Sequence, residues 1–313
     1  MSGLGLGKKR GILSIGRHAG NRNRNMSPSE QDPSSAPASV DAQLARVVVV
    51  LVEPSHPGNI GGAARALKTM GLGQLRLVRP RRFPDPQAEW RAAGALDVLD
   101  AAVEYADLAE AIADCQWVVG TGMLTRRIPW PVRDAAEAAR EVLALPSAAR
   151  AAIVFGREAS GLTNDELQRC NVHLQIPSSP AYPSLNLAMA VQVVAYELYR
   201  QAGTQSFSEN RSAAHSSADA GARWDRPLAT VAHVESLLGH LEDVLGASGF
   251  LDPDQPGQTM TRLRRLFQRV ALDDTEVQIL RGVLTTLDPR RGGRPAGPGS
   301  ARLRGAKADP SRQ

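Results

Sequence analysis

The stretch Arg46-Val47-Val48-Val49-Val50-Leu51-Val52, followed by the glycine-rich segment 53–65, decides the fold of this chain. A continuous run of β-branched residues is typical of a strand that is covered on both faces in a parallel sheet. Small residues, mainly Gly and Ala, open the next segment, and they allow a helix to approach a sheet or a ligand closely. Arg65 falls one to two turns into that helix and can reach back over the strand ends, where open α/β sheets usually bind ligands.

Helix-like and strand-like segments alternate from this stretch to about residue 202. Further strands are predicted at 75–78, 117–119, 152–155 and 172–176. Helices are predicted at 60–70, 105–114, 134–143 and 185–200, with a short helix opened by the capping box Thr163-Asn164-Asp165-Glu166. This alternation indicates an α/β fold with a parallel sheet.

The segment 227–288 shows only helical periodicity. Apolar residues recur at helical spacing in 230–245 and 263–270, and Asp273-Asp274-Thr275-Glu276 caps a third helix. We therefore expect a small all-α domain. On its second helix Arg262, Arg265 and Arg269 lie outside the apolar stripe, which fits either a phosphate backbone or an ordinary solvated helix face.

Polar stretches rich in Ser, Gly and Pro separate these blocks and predict the organisation of the chain. We expect a disordered basic extension at 1–41, an α/β domain at 42–202, a linker at 203–226, a helical RNA-binding domain at 227–288 and a disordered basic tail at 289–313.

The net charge of +5 comes from the two ends of the chain. Residues 1–39 carry six Lys and Arg against two acidic residues, and residues 289–313 carry seven against one, so the two ends contribute +4 and +6 and the remainder −5. Basic arms of this kind either bind a polyanion through its phosphates or keep the protein soluble. Composition alone leaves both interpretations open.

Composition excludes several classes of protein. The longest aliphatic run, 47–52, has six residues, whereas a membrane-spanning helix needs about 18, and no apolar signal region follows the basic residues 8–10. Cys115 and Cys170 lack C-x-x-C spacing, so we expect buried thiols in a cytoplasmic protein. The six histidines show no metal-ligand spacing, and we expect no metal.

Two further turn-rich loops follow predicted strands. They are Phe155-Gly156-Arg157-Glu158-Ala159-Ser160-Gly161-Leu162 and the segment 176–187. Parallel strands end at one edge of a sheet, so these two loops and the segment 53–65 can converge on one pocket. The dinucleotide-binding pattern G-x-G-x-x-G is absent after the first strand.

These loops resemble the three ordered motifs of the SPOUT-class (TrmH-like) RNA 2′-O-ribose methyltransferases. The matching residues are Pro57-Gly58-Asn59-Ile60-Gly61 with Arg65, then Phe155-Gly156-x-Glu158-x-x-Gly161-Leu162, then Ile176-Pro177 with Ser184-Leu185-Asn186-Leu187. The helical block is similar to the C-terminal extension of the TrmJ branch, notably in Gly249-Phe250-Leu251-Asp252-Pro253 and Leu263-Arg264-Arg265-Leu266-Phe267. The resemblance covers residues 45–202 and 227–288.

The resemblance implies a trefoil-knotted α/β domain, a homodimer with its site near the subunit interface, and S-adenosylmethionine as the methyl donor. The implied reaction is methylation of a ribose 2′-hydroxyl of tRNA, at nucleotide 32 (cytidine or uridine) of the anticodon loop, where a base can be splayed out for access. The alternatives are a related enzyme that acts on ribosomal RNA and a dimeric RNA-binding protein without catalysis.

The family pattern also assigns site residues. Arg65 matches the catalytic arginine, and because arginine is an awkward base we expect it to orient the hydroxyl and a neighbouring phosphate with its planar fork. Asn59 and Ser184 are the other catalytic candidates, and Arg126 is a candidate RNA contact or a solvated loop charge. The donor pocket is matched by Thr121, Gly122, Met123, Gly156, Ile176, Pro183, Ser184, Leu185 and Asn186.

Three residues of these motifs have a structural interpretation as well. Asn59 and Ser184 each stand near the start of a predicted helix and can cap it. Glu158 can brace its own loop or pair with an arginine.

Overall fold

The computed structural model describes residues 39–122, 130–212, 226–252 and 257–291 of the 313-residue chain, without the side chains of 205–212. The chain divides into a unit of Met1–Ala36 and a unit of Pro37–Gln313, and the second holds every described residue. The disorder predicted for 1–41 and 289–313 is wrong at two places: residues 40 and 41 open the helix Val40–Leu44, which Ser39 caps and buried Leu44 anchors, and residues 289–291 form a short 3-10 helix. Residues 1–38 and 292–313 lie outside the described residues.

Seven strands form one parallel sheet in the order β3-β2-β1-β6-β4-β7-β5. The strands are Val47–Val52 (β1), Gln74–Val78 (β2), Val103–Tyr105 (β3), Trp117–Thr121 (β4), Val132–Arg133 (β5), Ala151–Phe155 (β6) and Val172–Leu174 (β7). This sheet confirms the predicted α/β class. The trefoil knot stays a prediction.

Eleven α-helices accompany the sheet in the described residues. They are Val40–Leu44 (α1), Pro57–Thr69 (α2), Pro86–Ala92 (α3), Leu96–Asp100 (α4), Leu108–Ala111 (α5), Ala135–Leu143 (α6), Asn164–Gln168 (α7), Leu187–Ser212 (α8), Val231–Ala247 (α9), Thr259–Val270 (α10) and Asp274–Leu287 (α11).

Strand β1 is the centre of the core, as its β-branched run predicts. Val47, Val49 and Leu51 join a cluster that includes residues of α2, α6 and α8 on one face of the sheet. Val48, Val50 and Val52 join a second cluster, which includes α5 and α7, on the other face. Because alternate side chains of a strand point to opposite faces, only an unbroken apolar run can serve both.

Helix α2 lies close to both of its neighbouring helices because it carries two adjacent glycines. A Cβ on Gly61 would stand 2.0 Å from the carbonyl oxygen of Ala88 in α3. A Cβ on Gly62 would stand 2.8 Å from the Cβ of Ala188 in α8. Both distances are shorter than any real contact, so this packing requires glycine at both positions.

Several predicted boundaries need correction. Tyr105 ends β3 instead of opening a helix, and the helix that follows is only Leu108–Ala111, because Asp107 accepts from the N–H of Glu110 and starts it there. Helix α2 begins earlier than predicted, at Pro57, a residue suited to the first helical position. Helix α8 runs from Leu187 to Ser212, so the first ten residues of the predicted linker are helical.

The capping boxes predicted at Thr163–Glu166 and Asp273–Glu276 are both present, and Asp134 and Glu137 form a third that the sequence analysis missed. In each box the capping side chain accepts from the backbone of the third helical residue, whose own carboxylate accepts in return.

Helices α9, α10 and α11 dock at the amino ends of two strands. The N–H of Val231 donates to the carbonyl of Cys115, just before β4 (2.8 Å). Asn171, just before β7, donates from Nδ2 to the carbonyl of Gln268 in α10 (2.9 Å). Helices α9 and α10 therefore lie at the amino ends of β4 and β7, opposite the carboxyl ends of these strands, and α11 packs on α9.

Both cysteines are buried and neither is in a disulfide, in agreement with the prediction of buried thiols. Burial raises the pKa of the Cys115 thiol to about 12, so it stays protonated at neutral pH. No helix within the described ranges is long and apolar enough to cross a membrane.

Candidate functional site

A cleft of about 430 Å³ opens at the carboxyl edge of the sheet. It lies where β4, β6 and β7 end, and the loops that follow these strands form its walls. The lining residues include Thr121 and Gly122 at the end of β4, residues 155–162 from the end of β6 onward, and Gln175, Ile176, Pro183, Ser184 and Leu185 between β7 and α8. This edge is where parallel sheets usually bind ligands.

The wall after β6 is a tight turn that depends on Gly156. Arg157 and Gly161 exchange two backbone hydrogen bonds, of 3.2 and 2.9 Å, and close the loop on itself. A Cβ on Gly156 would stand 2.2 Å from the carbonyl carbon of Gly161, so the chain can pass there only without a side chain. Gly161 adopts a φ of +66°, which also favours glycine.

Glu158 joins the loop after β6 to the loop after β1. Its carboxylate accepts from the backbone N–H of Ser55 (3.1 Å) and of His56 (3.3 Å) and from Nδ2 of Asn59 (3.0 Å). Burial opposes its ionisation, but these hydrogen bonds outweigh it and lower the pKa of Glu158 below its ordinary value. Glu158 therefore braces the loop, and no arginine pairs with it among the described residues.

Asn59 carries the connection on to the third motif. Its Oδ1 accepts from Nδ2 of Asn186 (2.9 Å), while its Nδ2 donates to Glu158. One chain of hydrogen bonds, Glu158–Asn59–Asn186, therefore links residues that are 99 and 127 positions apart in sequence. The three loops meet, as their places after parallel strands predicted.

A second group of charges, which the sequence analysis missed, holds the base of the same loops. The guanidinium of Arg157 pairs with Glu53 (2.7 Å) and with Glu166 (2.9 Å), and Arg79 also pairs with Glu53 (2.5 Å). The hydrogen bond from Arg157 lowers the pKa of Glu53 to about 2. Only the adjacency of β1 and β6 brings Glu53 next to Arg157, and no spacing in the sequence shows that adjacency.

The structure places the three catalytic candidates differently. Arg65 lies exposed on α2 and is not among the residues that line the cleft, and its guanidinium makes no ion pair within the described ranges. Asn59 lies inside α2 and does not cap it, because Nδ1 of His56 accepts from the N–H of Gly58 and performs that function. Ser184 lines the cleft.

Ser184 is not the cap of the long helix either. Helix α8 begins at Leu187, and Oδ1 of Asn186 accepts from the N–H groups of Ala188 (3.0 Å) and Met189 (3.4 Å). Asn186 is therefore the capping residue, and Ser184 lies two residues farther out, where its hydroxyl faces the cleft region without a partner among the described residues.

The donor-pocket candidates fall into three groups. Six line the cleft besides Ser184: Thr121, Gly122, Gly156, Ile176, Pro183 and Leu185. Asn186 is not a lining residue and acts through Asn59. Met123 and the RNA-contact candidate Arg126 lie outside the described residues.

The cleft suits a ligand that is part apolar and part polar. Phe155, Leu162, Leu167 and Leu174 supply apolar walls; the first two belong to the second motif, but none of the four was predicted as a pocket residue. The backbone N–H and C=O groups of Ile176 and Leu185 make no hydrogen bond to any described residue, so they are available to a ligand. Free backbone groups beside small and apolar side chains fit the adenosine part of the donor that the resemblance implies.

The arginines of α10 do not all face solvent. Arg262 and Arg269 are exposed, Arg265 is half-buried, and no ion pair to any of the three occurs among the described residues. Arg264, by contrast, pairs with Glu235 of α9. The two exposed cations remain candidates for phosphate contacts. Within the described ranges, no cluster of three His, Cys, Asp or Glu residues could hold a metal ion.

Known families match both parts of the chain. Residues 46–196 match the SpoU rRNA methylase family, and residues 232–297 match the C-terminal domain of the tRNA methyltransferase TrmJ. The chain is 49% identical over 243 residues to the tRNA (cytidine/uridine/adenosine-2′-O-)-methyltransferase TrmJ of Pseudomonas aeruginosa, covering 77% of this chain and 93% of that protein. It is 46% identical over 252 residues to the tRNA (cytidine/uridine-2′-O-)-methyltransferase TrmJ of Cronobacter sakazakii, covering 80% and 100%.

Solved structures agree with the fold. TrmJ from Z. mobilis ZM4 superimposes with a TM-score of 0.64 at 34% identity, covering 77% of this chain and 98% of that one. A probable methylase family protein from Haemophilus influenzae Rd KW20 superimposes with a TM-score of 0.51 at 38% identity, covering 79% and 97%.

Proposed function

We propose, since this chain belongs to the TrmJ family of SPOUT-class RNA 2′-O-ribose methyltransferases, that it transfers a methyl group from S-adenosylmethionine to a ribose 2′-hydroxyl of tRNA. The target is nucleotide 32, a cytidine or uridine of the anticodon loop. A displacement at carbon of this kind needs a nucleophile held in line with the methyl group and an outlet for the hydroxyl proton.

The hydrogen-bond chain Glu158–Asn59–Asn186 is the observation that carries this proposal. It connects the start of α2, which bears Arg65, to two walls of the cleft. A connection of this kind fixes the distance and orientation between the residues that would bind the RNA and the residues that would bind the donor. A binding protein without catalysis would not need that register.

The cleft residues would hold the donor. The free backbone groups of Ile176 and Leu185 would bind polar atoms of the donor, and apolar lining residues such as Leu174 would bury its apolar parts. When bound, the donor supplies an electrophilic methyl group on a sulfonium centre. Ser184, at the exposed rim, is placed to contact the incoming ribose.

Arg65 is proposed to act across a homodimer interface. It does not line the cleft of its own chain, and it lies on α2 beside α8. Helix α8 exposes Met189 (63%) and, seven residues on and therefore on the same face, Tyr196 (49%). A second copy that covers this apolar face would bring its own Arg65 toward the cleft, where a planar guanidinium can orient the hydroxyl and a phosphate.

A mixing experiment tests the shared site. Arg65→Ala and Gly156→Val, which blocks the cleft loop, each remove activity alone, and co-refolding the two variants restores part of it, because a mixed dimer contains one complete site. Two Arg65→Ala copies, refolded together in the same way, are the control. If mixing the two variants restores nothing although mixed dimers form, Arg65 acts within its own chain or not at all.

Nucleotide mapping tests the substrate. Purified protein is incubated with labelled S-adenosylmethionine and either unmodified tRNA or ribosomal RNA. This comparison distinguishes a tRNA methyltransferase from an enzyme that acts on ribosomal RNA. We expect label on tRNA, at a single ribose, which mass spectrometry of nuclease fragments places at nucleotide 32. Label on ribosomal RNA alone would contradict the tRNA proposal, and donor binding without transfer to either RNA would favour the non-catalytic alternative.

A further inference from the structure

Trp90 and Arg91 of α3, and Arg81 in the loop before α3, lie outside the cleft and outside the three motifs. Trp90, in α3, is 73% exposed, the most exposed tryptophan in the described part of the chain. The guanidinium of Arg91 lies over its ring, 5.3 Å from the centroid. One ring face is therefore covered by a cation, and the exposure belongs to the opposite face and the edge.

The position of the surface at these three residues connects it to the catalytic loops. A Cβ on Gly58 would stand 3.4 Å from Cγ of Arg91, so the stem of Arg91 lies against the first turn of α2, next to Asn59. The backbone N–H of Arg81 donates to the carbonyl of Pro54 (3.2 Å), directly before Ser55 and His56, which bind Glu158. The surface is therefore fixed to the loop after β1, which Glu158 joins to the wall of the cleft.

The charges of this surface are not neutralised. In the neighbouring loop Arg79 pairs with Glu53 and Arg82 with Asp85. Arg81 and Arg91 pair with no carboxylate among the described residues, and both are exposed. An open aromatic face beside an unpaired cation, with a second unpaired cation in the adjoining loop, fits a base that stacks while its phosphates meet guanidinium groups.

We propose that Trp90, with Arg81 and Arg91, is a stacking platform for a single-stranded RNA nucleotide next to the nucleotide that enters the cleft. This proposal rests on the proposed function only in taking tRNA as the RNA that binds. Stacking tolerates any base, so the platform would hold the RNA strand in place without reading its sequence. Its contribution should appear in RNA affinity and KM, and the affinity for the methyl donor should be unchanged.

Two variants test the platform. Trp90→Ala removes the ring, and we expect the Kd for an in vitro transcribed tRNA and the KM for its methylation to rise by about tenfold, within the range measured for one stacked base. Trp90→Phe keeps an aromatic face and should retain most of the affinity. Val103→Ala, an exposed apolar residue on the edge strand β3, is the matched control and should bind tRNA as wild type does.

Tryptophan fluorescence gives a readout that needs no methyl transfer. Titration with tRNA should quench the emission of wild type, and Trp90→Phe should lose most of that quench while it still binds. Quenching that depends on Trp90, in a protein that methylates no RNA, would support the platform and contradict the proposed function. A wild-type Kd and KM in Trp90→Ala would overturn the platform and leave the proposed function intact.

The competing occupant of this surface is a second copy of the chain. Sedimentation velocity of Trp90→Ala without RNA decides between the two. An unchanged oligomeric state, together with weaker RNA binding, supports the platform. Dissociation of the assembly in Trp90→Ala would assign the ring to a subunit contact and overturn the proposal.

Discussion

The two edges of the central sheet are built from the same strands but are put to different use. At the carboxyl edge, loops rich in Gly and Ser enclose an open cleft, and hydrogen bonds to Glu158 and Asn59 hold them together. At the amino edge, α9 and α10 dock at the ends of β4 and β7 through bonds such as Val231 to Cys115, and α11 packs on α9. Strand β4 spans only Trp117–Thr121, so the two edges are about 13 Å apart along it.

The difference shows how one sheet can hold a ligand-binding cleft at one edge and stabilising contacts at the other. Loops at the carboxyl edge leave backbone groups available to a ligand, whereas polar groups at the amino edge form hydrogen bonds within the protein. Substitutions at the carboxyl edge should therefore change activity more than stability. Substitutions at the amino edge should do the opposite.

The largest expected effect belongs to Arg65→Ala, on the helix that starts at the carboxyl edge. We expect turnover to fall by about a hundredfold or more, as when an enzyme loses a donor aimed at the reacting groups, and the affinity for S-adenosylmethionine to stay unchanged. Single-turnover methylation and calorimetry with the donor measure the two quantities. Arg140→Ala, an exposed arginine of α6, is the control, and equal turnover in the two variants would remove Arg65 from its role.

A smaller effect is expected for Glu158→Gln, which tests the connection between the loops. A neutral amide cannot accept from two backbone N–H groups and Asn59 as the carboxylate does, so we expect donor affinity to fall by about tenfold, from the loss of charge-assisted hydrogen bonds. Glu104→Gln, exposed on β3, is the control. Wild-type affinity and turnover in Glu158→Gln would show that the hydrogen-bond chain does not organise the cleft.

The pH dependence of stability tests the ion pairs below the cleft. The pKa of Glu53 is lowered to about 2 in the folded protein by its hydrogen bond from Arg157. Because the folded-state pKa is lowered, ionised Glu53 adds to the free energy of unfolding at pH values above its unfolded-state pKa. This contribution is lost as the pH falls toward about 2.

Urea unfolding across that acid range measures this dependence. The free energy of unfolding of wild type should fall more steeply with decreasing pH than that of Glu53→Gln, which has no carboxyl group to protonate at this site. Parallel curves for the two proteins would mean that the Glu53–Arg157 pair makes no difference to stability.

The smallest effect is expected at the amino edge. Asp273→Ala removes the cap of α11, where the carboxylate accepts from the N–H of Glu276 (2.8 Å), and should lower the free energy of unfolding by about 1 kcal/mol. Methyl transfer at saturating tRNA should not change. Thr275→Ala, exposed in the same turn, is the control. A large loss of turnover in Asp273→Ala would contradict the expectation that substitutions at the amino edge change stability and not activity.

Much of the fold could be predicted from local signals. The run at 47–52 can be recognised because it is continuous, and the capping boxes at Thr163 and Asp273 act through near neighbours in sequence. Short elements such as β3 and β5 were missed, because two or three residues carry too little periodicity to be recognised. The interpretation of Ser184 and Asn59 as caps was wrong, because His56 and Asn186 do this instead.

The amino-acid order by itself determined the class of fold, the three motifs and the resemblance that points to RNA ribose methylation, since these depend on periodicity and spacing along the chain. Tertiary structure alone decided that Glu158 binds the loop after β1, that Arg157 pairs with Glu53, and that Arg65 lies outside its own cleft. The physical reason is that hydrogen bonds and ion pairs act over a few ångströms in space. Only the folding of the sheet brings together groups that are a hundred residues apart.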